Sequence, residues 1–169
     1  MLYSWRKPAF RDTETGVYNH TYFIEAFNRE WQKHLSKQQG LALLYLRTNI
    51  DEIPNMSPVI KKLSSKLKSR LLRNNDLIAR HEKGYFTIGV FNVDDYGMKA
   101  TIQRVTDAIE EVRLDAHHNY NQRFDCKITA GHCMPSICKQ SDGLFIKVKK
   151  ASEKLANQPK KQLEVIYWD

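Results

Sequence analysis

The sequence predicts an α/β domain in which a mixed sheet of about five strands is flanked by helices. Three observations lead to this prediction: a composition that suits one folded domain, hydrophobic runs of helical or extended period, and short polar or glycine-containing breaks between those runs. Of the 169 residues, 41% are hydrophobic and 27% are charged, so the chain is too apolar to be disordered. This length is typical of a single domain.

The first part of the chain is predicted as helix, strand and helix. Residues 19–37 place their apolar side chains on one helical stripe. The stripe consists of Phe23, Ala26, Phe27, Trp31 and Leu35. Residues 41–46 are almost wholly apolar, which is typical of a strand covered on both faces. Ser57 as N-cap and Pro58 as first helical residue then begin a helix that continues to the asparagine pair at 74–75.

A hairpin and a long helix follow. Leu77–His81 and Tyr85–Phe91 are short apolar runs joined by a tight turn that contains glycine, which predicts two antiparallel strands. Asp94 and Asp95 can cap a third helix, whose apolar residues recur at spacings of four and three. We expect this helix to end before a polar connection over residues 115–123.

The last part of the chain is predicted as strand, helix and strand. Cys126–Cys133 is a strand, Ser141 caps the fourth helix, and residues 163–167 form the closing strand. The full order is α-β-α-β-β-α-β-α-β. Such an order is typical of a mixed sheet with helices packed against it.

Charge and cysteine content narrow the function only a little. The 27 Lys and Arg against 19 Asp and Glu give a net charge of +8, which suits a nucleotide, a nucleic acid or an acidic lipid. Basic and aromatic residues are not interleaved, so no specific nucleic acid is expected. The lysines between 147 and 160 suit an acidic partner, a membrane surface or a solvated helix face. Cys126, Cys133 and Cys138 match no common zinc spacing and are predicted to be free thiols.

Neither a metal site nor a membrane segment is expected. His117 and His118, with His132 further along, lack a pattern of fixed ligands. No apolar run approaches the roughly 18 residues that a membrane helix needs. We therefore expect a cytoplasmic protein, either free or as the cytoplasmic part of a larger membrane-associated one.

Three segments together carry a family resemblance. Residues 12–20, DTETGVYNH, match a DxLTGLxNR motif in their Asp, Thr, Gly and Asn, and residues 77–90, LIARHEKGYFTIGV, contain two strands around a turn. Residues 128–131, ITAG, are similar to a SIG-containing strand. With the element order, these segments make residues 10–169 resemble a GGDEF domain, the diguanylate cyclase family. The resemblance implies an N-terminal extension over residues 1–10 and one domain over residues 11–169.

The turn that names the family is degenerate in this chain. Its five positions are occupied by Glu82, Lys83, Gly84, Tyr85 and Phe86, so only the phenylalanine matches. Active members have two glycines there, which let GTP approach the backbone because no Cβ intrudes. The two acidic positions that carry metal binding and catalysis in the family correspond to Gly84 and Tyr85.

The other positions that the family uses for metal and phosphate are also changed. In the family, an aspartate that helps hold Mg²⁺ ends the first long strand within a DxD pattern, whose positions correspond to Arg47 and Asn49. The lysine and arginine that grip phosphates in the family are not recognisable, and Ala156 and Lys160 lie close to where they should be. Mg²⁺ needs hard oxygen ligands, and phosphoryl transfer depends on that electrostatic clamp. We therefore expect no catalytic residue, no bound metal and no requirement for Mg²⁺.

One functional motif of the family is retained. Residues 73–76, Arg-Asn-Asn-Asp, match the RxxD motif, an inhibitory or receptor site for cyclic di-GMP in many GGDEF domains, and Asp76 stands six residues before Glu82 as in the family. Arg73 can donate to the O6 and N7 atoms of guanine, and Asp76 can accept from its N1–H and 2-amino group. Arg104, on the third helix, corresponds to a second arginine that family members often add.

A purely structural interpretation of the same residues is also open. Arg73 could interact with the carbonyl end of its helix, while Asp76 stays solvated in the loop. Arg104 could pair with a nearby acid such as Glu111.

The sequence thus predicts a catalytically inactive GGDEF domain that binds cyclic di-GMP through Arg73, Asp76 and Arg104. Binding would regulate a partner protein or an upstream domain. The resemblance implies bacterial signal transduction, in the control of biofilm, polysaccharide or motility. Two alternatives stay open: a ligand-free protein interaction or dimerisation module, which includes a homodimer, and GTP binding without turnover.

Overall fold

The structure is a computed structural model that describes residues 10–71, 73, 75–137 and 139–169. The elements in chain order are β1 Tyr18–Asn19, α1 His20–Lys37, β2 Leu41–Thr48, α2 Ser57–Arg70, β3 Leu77–His81, β4 Tyr85–Phe91, α3 Asp95–Tyr120, β5 Cys126–Cys133, α4 Ser141–Ala156 and β6 Leu163–Trp168. A 3₁₀ turn over Ile50–Glu52 follows β2. Nearly all of the predicted N-terminal extension lies outside the described residues, as do Asn74 and Cys138.

The sheet has six strands in the order β1-β3-β4-β2-β5-β6. β2 lies at its centre and pairs antiparallel with β4 and β5, while β1 pairs parallel with β3 and β5 pairs parallel with β6. The predicted α/β class with a mixed sheet is confirmed. The additional strand is β1, whose two residues are too few to show a period in the sequence.

Helices cover both faces of this sheet, which explains why residues 41–46 of β2 are apolar without a break. Ala42, Leu44 and Leu46 face the core beneath α2 and α3. Leu41, Leu43 and Tyr45 face a second core beneath α1 and α4. Because every side chain of this segment is buried against one layer or the other, period-2 alternation is absent.

Helix boundaries depart from the prediction at three places. α2 begins one residue earlier than predicted, because Met56 is its N-cap and Ser57 its first residue, and it ends at Arg70 rather than at 74–75. α4 is capped by Gln140 instead of Ser141, whose hydroxyl bonds Asn28 Oδ1 over 3.0 Å. Both serines look like caps in the sequence, but the register of a helix start is set by tertiary contacts as well.

The third departure is the length of α3, which continues to Tyr120 through the predicted polar connection. Val112 and Ala116 continue the buried stripe of the helix. Nζ of Lys62 in α2 also lies 3.7 Å from Oδ1 of Asp115. Asp94 caps this helix as predicted, since its Oδ1 accepts from the Gly97 N–H over 2.7 Å.

Candidate functional site

Residues 73, 75 and 76 lie at the corner between α2 and β3, which we call the RxxD corner. Leu71 leaves the helix in an extended conformation and is buried. The backbone N–H of Asp76 donates to the carbonyl of Arg73 over 3.2 Å and closes a turn. Arg73 is exposed, whereas Asp76 is half-buried directly before β3. The turn therefore holds a guanidinium and a carboxylate on one short piece of backbone.

The carboxyl group of Asp76 is poorly satisfied. Its Oδ1 is buried and has no hydrogen-bond partner among the described residues. Burial raises the pKa of Asp76 to about 6, although the positive charges of Arg73 and Arg104 and a backbone hydrogen bond from Arg73 oppose the rise. A buried acceptor without a donor costs free energy. The corner thus carries an acceptor that an incoming donor could satisfy.

The third predicted residue, Arg104, approaches this carboxylate from α3. It is exposed in the middle of the helix, between the buried residues Ile102 and Val105. Its charge acts on the Asp76 carboxylate together with that of Arg73. The fold therefore brings Arg73, Asp76 and Arg104, which lie on two different elements, into one cluster, which we call the arginine–aspartate cluster.

The structural interpretation of these arginines is wrong in one part. Glu111 does not pair with Arg104, because it contacts Lys66 at 3.1 Å and also pairs with Arg70. Arg73 lies beyond the last turn of α2, which ends at Arg70. Within the part of the chain that the structure describes, neither Arg73 nor Arg104 forms a salt bridge with another side chain.

The β3–β4 turn, residues 82–84, lies at the other end of β3 and has its polar groups occupied. Glu82 adopts a left-handed backbone conformation with φ 58°, which favours glycine. Arg80 donates from Nε and Nη2 to the carbonyl of Lys83 over 2.9 and 2.7 Å. The Nη1 of Arg80 lies 3.2 Å from Asp12 and 2.5 Å from Glu14, which ties the turn to the N-terminal loop.

Gly84 stands in a space that admits no side chain. A Cβ atom at this position would lie 2.8 Å from Cγ2 of Ile50 and 2.8 Å from Oγ1 of Thr48. The Thr48 hydroxyl also donates to the Gly84 carbonyl over 2.7 Å. An acidic side chain at residue 84 therefore could not be accommodated unless the loop after β2 moved.

Arg47 and Tyr85 fill the space beside this turn by binding each other. The Nη1 of Arg47 donates to the Tyr85 hydroxyl over 2.8 Å, and its Nε donates to Oγ of Ser152 over 3.2 Å. The guanidinium carbon also lies 4.6 Å from the centre of the Tyr85 ring. The guanidinium is thus held by α4 and β4, and it presents a positive charge where Mg²⁺ binding would need negative oxygens.

Sequence reasoning missed a buried polar group next to Arg47, which we call the histidine cluster: His20, His81 and Tyr45. The two imidazole centres lie 3.9 Å apart. Nδ1 of His20, Nε2 of His81 and the Tyr45 hydroxyl are buried without a hydrogen-bond partner among the described residues. Burial, with nearby His81 and Lys149, lowers the pKa of His20 to about 4, and burial also lowers the pKa of His81. Because these residues lie on α1, β2 and β3, no local sequence motif predicts the cluster.

Of the histidines and cysteines considered in the sequence, those that the structure describes lie within the helices and strands of the fold. His117 and His118 lie in the last turn of α3, and Nε2 of His132 is 2.8 Å from the carbonyl oxygen of Val93. Cys126 and Cys133 are free and buried, and burial raises the pKa of both thiols. Across the described residues, no three His, Cys, Asp or Glu side chains form a group that could hold a metal ion. No helix of the described ranges is both long and apolar enough to cross a membrane.

Comparisons with known proteins find similarity in structure and not in sequence. No family model matches the chain, and no curated protein matches it. Solved structures do match over nearly the whole chain. A microbial GGDEF domain, described for a novel interaction mode with bis-(3,5)-cyclic di-GMP, superposes with a TM-score of 0.77 at 15% identity and covers 95% of this chain and 99% of its own.

Two further structures match in the same way. The GGDEF domain of DgcB from Caulobacter crescentus, in complex with c-di-GMP, gives a TM-score of 0.73 at 13% identity and covers 93% of each chain. The diguanylate cyclase SiaD from Pseudomonas aeruginosa, in complex with its activator SiaC, gives a TM-score of 0.78 at 15% identity and covers 98% of this chain and 64% of its own. At such identities the similarity concerns the fold.

Proposed function

We propose that this chain, which has the fold of a GGDEF domain, is a catalytically inactive receptor for cyclic di-GMP that binds through Arg73, Asp76 and Arg104. The observation that carries the proposal is the Asp76 oxygen, which has no partner among the described residues, beside two exposed arginines. A side chain that is retained at an energetic cost to the free protein is typical of a binding site.

The chemistry of guanine matches this arrangement. The N1–H and 2-amino groups of guanine donate to a carboxylate, so they would supply the donor that Oδ1 of Asp76 lacks. The O6 and N7 atoms accept from a guanidinium, which Arg73 or Arg104 offers. The second arginine would meet a phosphate oxygen or stack on a base. Two of the similar structures are described with cyclic di-GMP, which supports this ligand class.

The β3–β4 turn supports the proposed inactivity. Mg²⁺, which the fold family implies, does not fit the residues present, because Arg47 and Asn49 offer no carboxylate and Gly84 has no room for one. The Arg47–Tyr85–Ser152 contacts occupy the same region with internal hydrogen bonds.

A receptor of this kind would act through a partner. Occupying the RxxD corner would bridge α3 and the loop after α2, because the cluster draws on both. The rigid surface created by the ligand would then change contacts with a partner protein or an upstream domain. SiaD, which is similar in fold, was solved with its activator SiaC, so this fold is compatible with a protein partner.

Calorimetric titration with cyclic di-GMP tests the receptor proposal. The unmodified protein should bind, and Arg73→Ala and Arg104→Ala should each weaken binding by about tenfold or more, because each removes charge-assisted hydrogen bonds. Arg113→Ala is the matched control: it removes an arginine from α3 that pairs with Glu110, and its affinity should stay within about twofold of the unmodified protein. A flat titration of the unmodified protein would refute the proposal and favour a ligand-free interaction module.

Incubation with GTP and Mg²⁺ tests inactivity separately. No cyclic di-GMP should accumulate, as judged by liquid chromatography beside an active diguanylate cyclase as positive control. Sustained product formation that Arg47→Ala abolishes would overturn this half of the proposal. Calorimetry with GTP alone tests the remaining alternative, and no saturable heat is expected.

A further inference from the structure

The β6 edge of the sheet is open and lies between two grooves of different chemistry. We propose that it binds an extended segment of a partner protein in which acidic and apolar residues alternate, added to the sheet as a seventh strand. This proposal stands independently of the nucleotide site, because β3 and β6 are separated by β4, β2 and β5. With strands about 4.8 Å apart, the two strands are about 19 Å from each other.

The backbone of β6 presents free hydrogen-bonding groups to the outside. The Ile128 N–H of β5 donates to the carbonyl of Gln162 over 2.9 Å, and Ile128 stands opposite Leu163 in the register. In a parallel pair the backbone groups of alternate residues point to the neighbour. Leu163, Val165 and Tyr167 therefore direct their N–H and C=O groups away from β5. An extended segment can pair with these groups, which is the mode of β-strand addition.

The groove on the α4 side of this edge is basic. Its volume is about 320 Å³, and its residues include Lys147, Lys150, Lys154, Ala151, Glu164 and Ile166. The three lysines are exposed on one stripe of α4, and none of them has an ion pair within the described residues. The carboxylate of Glu164 is already paired with Lys161. Three ammonium groups without an ion pair among the described residues, of which that of Lys147 lies 5.4 Å from the centre of the Trp168 ring, favour an anionic occupant.

The groove on the α3 side of the same edge is apolar. Its volume is about 430 Å³. Ile102, Ile109, Phe124, Ile128 and Leu163 contribute its apolar wall. Leu163 is 39% exposed there, and the charged groups of Glu110 and Arg113 are paired with each other. Apolar side chains of an added strand would bury this surface.

The two grooves together define an alternating sequence. Successive side chains of a strand point to opposite faces, so one set would enter the lysine groove and the other the apolar groove. The seven residue steps from Lys147 to Lys154 span about 10.5 Å of helix at 1.5 Å per residue. Three acidic residues at every second position of a strand span about 13 Å, which lysine side chains can match. The occupant is therefore an acidic and apolar segment in strict alternation.

A second copy of the chain fits this edge less well. Antiparallel pairing of two β6 strands about a twofold axis would place both α4 helices on the same face of the joined sheet. The Lys147, Lys150 and Lys154 stripes of the two copies would then face each other across the junction, with only Glu164 of each copy between them. Like charges so arranged repel. The observations favour a partner of opposite charge.

Fluorescence anisotropy with a labelled peptide of four Glu-Val repeats tests the proposal. It should bind saturably to the full chain. A peptide of four Lys-Val repeats should not bind, because its charge is reversed. A peptide with the same composition in two blocks, four Glu then four Val, should bind about tenfold more weakly or not at all, because it cannot serve both grooves.

Charge-matched variants locate the binding on the protein. The triple variant Lys147→Gln, Lys150→Gln, Lys154→Gln should weaken peptide binding by about tenfold. The control removes the same charge from the exposed lysines elsewhere, as Lys37→Gln, Lys61→Gln, Lys83→Gln, and should stay within about twofold. Leu163→Pro removes one outward N–H at the first residue of β6, where proline is tolerated, and should also weaken binding. Cyclic di-GMP titrations of these variants should be unchanged, so the two proposals fail separately.

Four outcomes would overturn the inference. Equal weakening in both triple variants would show that only net charge matters. Equal binding of the alternating and block peptides would exclude strand addition. Sedimentation that shows a dimer abolished by Leu163→Pro would assign the edge to a second copy, and binding to phosphatidylglycerol vesicles without binding to the peptide would assign the lysines to a membrane surface.

Discussion

Strand β3 separates two polar sites that differ in how their side chains are satisfied. Before the strand, Asp76 has a buried oxygen that no described residue bonds, beside the exposed Arg73 and Arg104. After the strand, Arg80 is anchored to a turn carbonyl and two carboxylates, and Arg47 is held by hydrogen bonds with Tyr85 and Ser152. The six residue steps from Asp76 to Glu82 span about 20 Å of extended chain. The polar groups at the second end are paired with one another, whereas at the first end the described residues leave an Asp76 oxygen for the proposed ligand to bind.

This difference is the one that the proposed function predicts. A site without a ligand-binding role tends to acquire internal partners, since unpaired buried polar groups are costly. The β3–β4 turn has such partners, whereas among the described residues Oδ1 of Asp76 has none.

The largest expected effect is that of Asp76→Asn on cyclic di-GMP binding. Affinity should fall by about 100-fold, because the amide replaces a charged acceptor by a neutral group that also carries donors. The free protein should become more stable by up to about 1 kcal/mol, because the desolvated charge is removed and solvent screening limits the gain. Calorimetry and urea unfolding at pH 7.5 measure the two effects.

The control for this prediction is Asp107→Asn, on the exposed face of α3, which should change neither quantity appreciably. A loss of both affinity and stability in Asp76→Asn would contradict the comparison, because Asp76 would then be a structural residue.

The sequence predicted the strands more closely than the helix ends. β3, β4 and β5 have the predicted bounds, because turn residues flank their apolar runs on both sides. β1 escaped notice because its pairing with β3 is a tertiary contact of two residues. The start of α4 was placed one residue late because the Ser141 hydroxyl bonds Asn28 of α1, which no local pattern shows.

For the candidate site, the sequence predicts which residues take part but not how they are buried or hydrogen-bonded. The spacing of Arg73 and Asp76 from the turn can be seen in the sequence, because the motif and the turn lie on one continuous segment. The unsatisfied oxygen of Asp76 and the approach of Arg104 depend on how α3 packs on α2. The histidine cluster was missed for the same reason, because its members lie on three elements.

Arg47→Ala should have the next largest effect, on stability alone. The substitution leaves the Tyr85 and Ser152 hydroxyls without their donor and removes packing on the Tyr85 ring. We expect the free energy of unfolding to fall by about 1–3 kcal/mol. Affinity for cyclic di-GMP should stay within about twofold, because the RxxD corner lies at the far end of β3.

Arg47→Met keeps the aliphatic length without the hydrogen bonds and should recover part of the lost stability. If either variant reduced cyclic di-GMP affinity by tenfold at unchanged stability, the two ends of β3 would be one site.

Lowering the pH should change the contributions of the two ends of β3 to the free energy of unfolding in opposite directions. His20 and His81 have pKa values below 6.5 in the folded protein, so the unfolded chain takes up protons first and stability falls as pH drops below 6.5 towards about 4. Lys149 opposes protonation of both rings, whereas Glu82 favours it. Asp76, with its pKa of about 6, protonates first in the folded state, so its contribution to stability rises as pH falls below 6.

The two contributions can be separated by substitution. Between pH 7 and pH 5, His20→Phe should lose about 1 kcal/mol less stability than the unmodified protein, after allowance for solvent screening. Over the same range the affinity for cyclic di-GMP should fall in the unmodified protein and in His20→Phe alike, because Asp76 becomes protonated. A parallel stability profile for His20→Phe would show that the buried imidazole does not titrate as inferred.

The smallest expected effect is that of Glu82→Gly. A left-handed backbone with φ 58° is unfavourable for glutamate and open to glycine, so the substitution should stabilise the protein by about 0.5–1 kcal/mol. The Glu82 side chain is 61% exposed and lies 3.8 Å from a His81 ring that is neutral at pH 7, so little electrostatic energy is lost. Urea unfolding of Glu82→Gly beside Glu82→Ala, which retains the strain, isolates the backbone effect. If both variants were equally stable, the backbone at residue 82 would be unstrained. Its left-handed conformation would then not indicate a position that favours glycine.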